Sequence, residues 1–268
     1  MRIAAVQHDI KWNDRVANFA RLAPMIADAA AAGADLVLLS ETFSTGFSVG
    51  TAEFPEDEGG PSSTFLLEQA AAHGVWVCGS CPEIPAHKDE DKHEHEPQTV
   101  EVADRRPCNT FVLAGPDGTV HRYRKLHPFT YGGEDQYVRP GTELITVQIG
   151  GLRVSPLVCY DLRFADEFWQ LAAHTDVYLV PANWPDSRRL HWQTLLQARA
   201  IENQAYVVGC NRVGEGGGLG YVGDSRIIDP GGELLATAAL GETVISADVT
   251  ASRVTEVRHT FRFMQDRR

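Results

Sequence analysis

The chain has 268 residues, with 24 Lys and Arg against 36 Asp and Glu and a formal net charge of −12. That length suits one large domain spanning residues 1–268 and able to bury a sizeable core. The acidic excess excludes the clustered basic footprint of a nucleic-acid binder and fits a small-molecule enzyme. No basic-then-apolar leader opens the sequence and no apolar run of about 18 residues or more occurs in it, so the expectation is a cytoplasmic address without secretion or membrane spanning. Cys78, Cys81, Cys108, Cys159 and Cys210 are too few and too scattered for a disulfide framework and are expected to be reduced.

Residues 2 to 8 read as a short apolar strand. Asn13 or Asp14 then caps a helix from Arg15 to about Ala32, with Val16, Phe19, Ala23, Ile26 and Ala30 on one face, a kink at Pro24 and a stop at Gly33. Asp35 to Ser40 reads as a strand that ends on Glu41. A turn at 59 to 63 opens a helix that turns Phe65, Leu66 and Ala70 inward and closes at His73-Gly74. Val75 to Ser80 is the next strand, and Cys78 and Cys81 fall in its pattern, which disfavours a redox reading of their spacing.

Residues 85 to 107 interrupt this alternation with crowded Lys, Asp, Glu and His, a composition that cannot bury a core and reads as a solvated insertion. His87, His93 and His95 lie among carboxylates, yet His-x-His spacing alone fixes no metal geometry, and no metal or cofactor is expected. Residues 109 to 114 and 119 to 123 flank a Gly-Pro-Asp-Gly turn as a hairpin whose far end delivers Lys125. The loop from Tyr131 to Gly141 is rich in turn formers and aromatic side chains, as pocket-lining loops are. A second hairpin, 144 to 149 and 152 to 158, leads to Cys159, and a helix begins near Ala165.

Asp176 to Val180 is a buried strand that ends at Ala182-Asn183-Trp184-Pro185. A helix from Arg188 to Asn203 and a strand from Ala205 to Gly209 follow. The glycine-rich run 213 to 220 has no helix after it and reads as a mobile loop, not a phosphate cradle. Residues 222 to 248 give three strands around an Asp-Pro-Gly-Gly turn, and the tail from Arg258 has no core pattern. Periodicity alone predicts an α/β or α+β fold with a mixed sheet.

Three of these strands end on a residue suited to acyl transfer: Glu41, Lys125 and Cys159. A thiol at a strand-to-helix turn stands clear of the sheet beside backbone N–H groups, a carboxylate can move its proton, and an ammonium can hold an oxyanion. Glu41 after an apolar strand, Lys125 before His127-Pro128-Phe129, and Cys159-Tyr160-Asp161-Leu162-Arg163-Phe164 occur in the order of the nitrilase superfamily of carbon–nitrogen hydrolases, which the chain resembles over nearly its whole length. Pro128 and Ala165 depart from the family's usual Leu and Pro. Glu41 to Ser48, and Asn183-Trp184-Pro185 with Arg188, Trp192 and Leu195-Leu196, resemble the omega-amidase branch, which acts on 2-oxo dicarboxylic acid monoamides.

The resemblance implies an α/β fold of the four-layer α-β-β-α sandwich type, and a homo-oligomer in which the tail 250–268 crosses to a second subunit. It implies Cys159 as acylated nucleophile, Glu41 as general base and acid, and Lys125 with the Tyr160 N–H as oxyanion holder. It also implies Glu134 as the second glutamate that orients the ammonium. Tyr160, Phe129, Tyr131 and Trp184 are candidates to wall the pocket, and Asp161 with Arg163 to pair and fix the turn. Arg188, ahead of Arg139 and Arg212, is the candidate for a substrate carboxylate, because a guanidinium binds one bidentately. The alternatives are a general aliphatic amidase, an N-carbamoyl amidohydrolase, a catalytically silent binding member, or a metal- or redox-responsive module.

Overall fold

Two-residue alternation along the strands sorts the apolar side chains into two sets, one for each face of a sheet. A computed structural model of the chain describes residues 1–86 and 104–267. Its first half contains β1 (Arg2–Gln7), α1 (Arg15–Ala31), β2 (Leu36–Leu38), β3 (Glu56–Asp57), α2 (Pro61–His73), β4 (Trp76–Ile84), β5 (Cys108–Ala114) and β6 (Val120–Arg124). Then come α3 (Glu134–Tyr137), β7 (Val147–Ile149), β8 (Leu152–Pro156), α4 (Ala165–Leu171), β9 (Val177–Ala182) and α5 (Arg189–Asn203). The chain continues through β10 (Tyr206–Asn211), β11 (Val213–Gly216), β12 (Leu219–Ile228), β13 (Leu234–Ala239), β14 (Thr243–Asp248) and α6 (Ala251–Thr260).

One sheet has the order β14-β1-β2-β4-β5-β6 with β3 beside β4; the other has β11-β12-β10-β9-β8-β7 with β13 beside β12. In the first, Ile3, Ala5, Leu36, Leu38, Cys78, Phe111 and Leu113 join the core shared with the second sheet. Their neighbours Ala4, Val6, Val37, Leu39, Val77, Cys81 and Val112 pack with Leu22, Ile26, Phe65 and Leu66 of α1 and α2. Trp192, Leu196 and Ala200 of α5 and Phe168 of α4 cover the second sheet. The result is the four-layer α-β-β-α sandwich. Cys78 and Cys81, three apart on one strand, lie on opposite faces as free thiols.

Two expectations change. In α1 the expected Phe19, Ala23, Ile26 and Ala30 pack on the core together with Leu22 and Ala29, while Val16 is exposed. Asn18 is buried on α1 as well, its amide donating to Lys11 O and Ser44 O. Pro24 lies inside α1, which stays one element. The glycine-rich run is the β11–β12 hairpin, not a structureless loop. Its glycines are required because the Trp12 ring fills the side-chain space: a Cβ on Gly216 or Gly217 would meet that ring at 2.8 or 2.9 Å.

Candidate active site

Four strand ends converge where the two sheets meet. β2 runs on through Leu39 and Ser40 to Glu41, which is fully buried, and Thr42 turns the chain at φ +41°. Asn183, just past β9, pins that corner by donating its side-chain amide to Glu41 O (2.6 Å) and Thr42 Oγ1 (2.9 Å) and its backbone N–H to Glu41 Oε2 (2.8 Å). β6 delivers Lys125, whose N–H donates to Asn109 O. The chain passes close behind at Gly141, where a Cβ would stand 2.1 Å from Arg124 O, so only glycine fits.

β8 leads to Cys159, which opens a 3-10 turn over Cys159–Arg163 with φ +45°. A non-glycine residue held there stores about 1–3 kcal/mol of strain, offset by its surroundings. Asp161 supplies that restraint: it accepts from Val158 N (2.9 Å), Tyr123 OH (2.8 Å) and His127 N (3.0 Å). The expected pairing of Asp161 with Arg163 does not form. At three residues per turn their side chains leave in different directions, and Arg163 lies over the Trp184 ring at 4.7 Å.

Lys125 Nζ donates to Glu41 Oε1 (2.9 Å) and Glu134 Oε2 (2.8 Å), with all three side chains buried. Asn109 Nδ2 donates to the same two carboxylates at 2.8 and 3.2 Å, and Phe129 N–H donates to Glu134. Burial pulls the ammonium down, but Glu134 and Glu41 outweigh it and hold Lys125 well above its ordinary pKa. Burial pushes Glu134 up against the pull of Lys125. Burial also pushes the Cys159 thiol well up; Glu41 adds to this and Lys125 opposes it. Burial and Glu41 thus favour the protonated thiol at Cys159, beside Glu41 and the Lys125 amine that donates to it.

Glu41, Lys125 and Cys159 open onto a cavity of ≈ 310 Å³ that is walled by Trp12, Phe47, Phe129, Leu219 and Tyr221 and carries Arg188. Arg188 lies over the Phe129 ring at 5.4 Å and makes no ion pair among the described residues. Tyr160 and Trp184 line a smaller recess with Arg163 that shares Cys159, Phe129 and Arg188 with the cavity. Tyr131 is not on either wall. It sits at the apex of the Thr130–Gly132 turn, 86% exposed, and Gly132 takes the lining position. Arg212 is fully buried behind the wall, bound to Asp9 and to carbonyls of Ile10, Val213 and Glu215. The structure thus gathers Glu41, Lys125, Glu134, Cys159, Tyr160, Phe129, Trp184 and Arg188, and adds Asn109, Asn183, Trp12 and Tyr221. Among the described residues no His, Cys, Asp and Glu cluster could hold a metal; His87, His93 and His95 lie outside them.

The family profile described as Carbon-nitrogen hydrolase matches residues 2–259. Omega-amidase YafV of Escherichia coli K12 is 36% identical over 99% of this chain and 96% of its own. A 2-oxoglutaramate amidase of Bacillus subtilis strain 168 is 30% identical over 98% of this chain and 96% of its own. A CN-hydrolase superfamily protein of Xanthomonas campestris, with an arsenic adduct in its active site, superposes with a TM-score of 0.88 at 33% identity, covering 100% of this chain and 97% of that one. An amidase double mutant from Nesterenkonia sp. AN1, in complex with acrylamide, gives a TM-score of 0.80 at 25% identity over 100% and 94% of the two chains. With its strand-end site and this near-complete match, the chain belongs to the carbon–nitrogen hydrolase family.

Proposed function

We propose that the chain is an omega-amidase, which hydrolyses the terminal amide of 2-oxo dicarboxylic acid monoamides such as 2-oxoglutaramate and releases ammonia. The observation that carries this reading is the meeting of Glu41, Lys125 and Cys159 in a cavity that also holds Arg188, which makes no ion pair among the described residues. Full-length similarity to an omega-amidase and a 2-oxoglutaramate amidase supports it.

In this reading Cys159 Sγ attacks the amide carbon while its proton passes to Glu41. The Lys125 ammonium and the Tyr160 N–H hold the oxyanion of the tetrahedral adduct. Glu41 then gives the proton to the leaving nitrogen, ammonia departs, and a thioester remains on Cys159. Water attacks that thioester, Glu41 takes one water proton and returns it to Sγ as the C–S bond breaks, and the dicarboxylate leaves with Cys159 restored as a thiol. Glu134 acts as a positioning residue that holds Lys125. Arg188 receives the distal carboxylate.

Ammonia release from 2-oxoglutaramate tests the chemistry: Cys159→Ala is expected to abolish it with the fold intact, and retention of more than about a few per cent of wild-type rate rejects the mechanism. Arg188→Ala is expected to cost roughly 1.5–3 kcal/mol in kcat/KM for this substrate, and less for a neutral amide of similar length. Equal wild-type turnover of the two would leave a general aliphatic amidase or an N-carbamoyl hydrolase. A cytoplasmic homo-oligomer is part of the same proposal, with light scattering as the test of assembly. Among the described residues no helix is long and apolar enough to cross a membrane.

A further inference from the structure

Tyr221, on β12 opposite Gly214 of β11, lines the ≈ 310 Å³ cavity together with Cys159, Lys125 and Arg188. It is only 7% exposed, and its hydroxyl makes no hydrogen bond to any described residue. The hydroxyl is not enclosed by protein but left open to the cavity, where it can donate to a polar group that enters. The ring is not free to turn away. It packs at 4.6 Å against the guanidinium of Arg212, which is itself held by Asp9 (2.9 Å) and the carbonyls of Ile10 (3.1 Å) and Glu215 (3.0 Å). Burial pushes the phenol up to about 12, so it keeps its proton and remains a donor.

A 2-oxo dicarboxylic acid monoamide brings three polar groups into this cavity. In the function proposed above, on which this inference rests, the amide lies at Cys159 and the carboxylate at Arg188. The third group is the ketone oxygen next to the carboxylate, a neutral acceptor. A neutral O–H suits a neutral carbonyl, as a guanidinium suits a carboxylate. Tyr221 lines the same cavity as Cys159 and Arg188, so its hydroxyl can meet a substrate that spans the two. We infer that Tyr221 is a specificity-determining residue whose hydroxyl donates to the 2-oxo oxygen, so that the site selects 2-oxo monoamides over those with a methylene at that carbon.

The test compares 2-oxoglutaramate with glutaramate, which has the same length, amide and carboxylate but no 2-oxo group, on wild type and Tyr221→Phe. The wild-type preference for 2-oxoglutaramate, as a ratio of kcat/KM values, is expected to fall about ten-fold in the variant, mainly through KM. The melting temperature is expected to hold, because Phe keeps the ring against Arg212. An unchanged preference with active enzyme, an equal loss on both substrates, or a wild type that treats the two amides alike overturns the role of Tyr221. Release of ammonia from neither amide by wild type overturns the omega-amidase reading itself, and this inference falls with it.

Discussion

His127 has Nδ1 3.0 Å from Asp161 Oδ1 and Nε2 3.3 Å from Glu167 Oε1, with its ring stacked on Phe164 at 3.8 Å. A carboxylate oxygen only accepts, so the bond to Asp161 needs a proton on Nδ1, and the nearby Glu167 carboxylate favours the charged ring. The bond to Asp161 raises its pKa, burial opposes this, Asp161 and Glu167 add as charges, and Lys125 repels. A histidine raised on folding contributes stability that is fully present below its unfolded pKa and lost as pH rises through the folded one. His127→Gln is therefore expected to lower the unfolding midpoint most near pH 6, with the gap to wild type closing at alkaline pH; a gap independent of pH would refute the clamp. Glu41→Gln should slow acylation by about 10²–10⁴-fold in single-turnover ammonia release, since the buried thiol loses its proton acceptor. Glu41, Lys125 and Cys159 were legible in the sequence because a polar residue at the end of an apolar strand stands out. Asn109 and Asn183 were not: neutral amides in a strand pattern carry no signal, and their partner Glu41 is 68 and 142 residues away.

The elements were legible where side chains alternate, and less so where two patterns overlapped or side chains were missing. Along α1 the stripes 16-19-23-26-30 and 22-26-29 both have helical spacing and share Ile26. Residues of both pack on the core, so the buried face is wider than either stripe, and only Val16 lies outside it. In the β11–β12 hairpin five of residues 213–220 are glycine, which shows no alternation, and the Trp12 ring that fills the space beside Gly216 and Gly217 lies some two hundred residues earlier. The packing of α5 on β10 gives a direct test. A Cβ at Gly209 would stand 2.5 Å from Leu196 Cδ1 and 2.9 Å from Trp192 Cζ2, and both of those side chains are buried. Gly209→Ala is expected to destabilise the chain by about 1–3 kcal/mol, read as a lower denaturant midpoint at unchanged slope. A midpoint equal to wild type would mean that Leu196 and Trp192 repack freely.

Over the molecule as a whole, the sheets and helices account for the core, and two peripheral segments remain. The tail lies against its own chain: Arg258 donates to carbonyls of Ala172, Thr175, Asn203 and Gln204, and Arg267 stacks on Trp169 at 3.8 Å. The charged insertion is the other segment, and residues 87–103 of it lie outside the described residues. On either side of it β4 and β5 are antiparallel neighbours with Glu83 opposite Cys108, so the chain reverses there and a short turn is sufficient. Residues 87 to 96 contain only His, Lys, Asp and Glu, with no apolar side chain to contribute to a core. Loop length enters stability only logarithmically, about 0.6 kcal/mol per doubling. Replacing 87 to 96 by a short Gly-Ser turn is therefore expected to leave unfolding free energy within about 1 kcal/mol of wild type and ammonia release nearly unchanged. The insertion leaves β5 one residue before Asn109, which holds both Glu41 and Glu134, so activity is the more sensitive readout. A loss of turnover at preserved stability, or a change of mass by light scattering, would show that the segment closes over the substrate or joins subunits and is not a passive solvated loop.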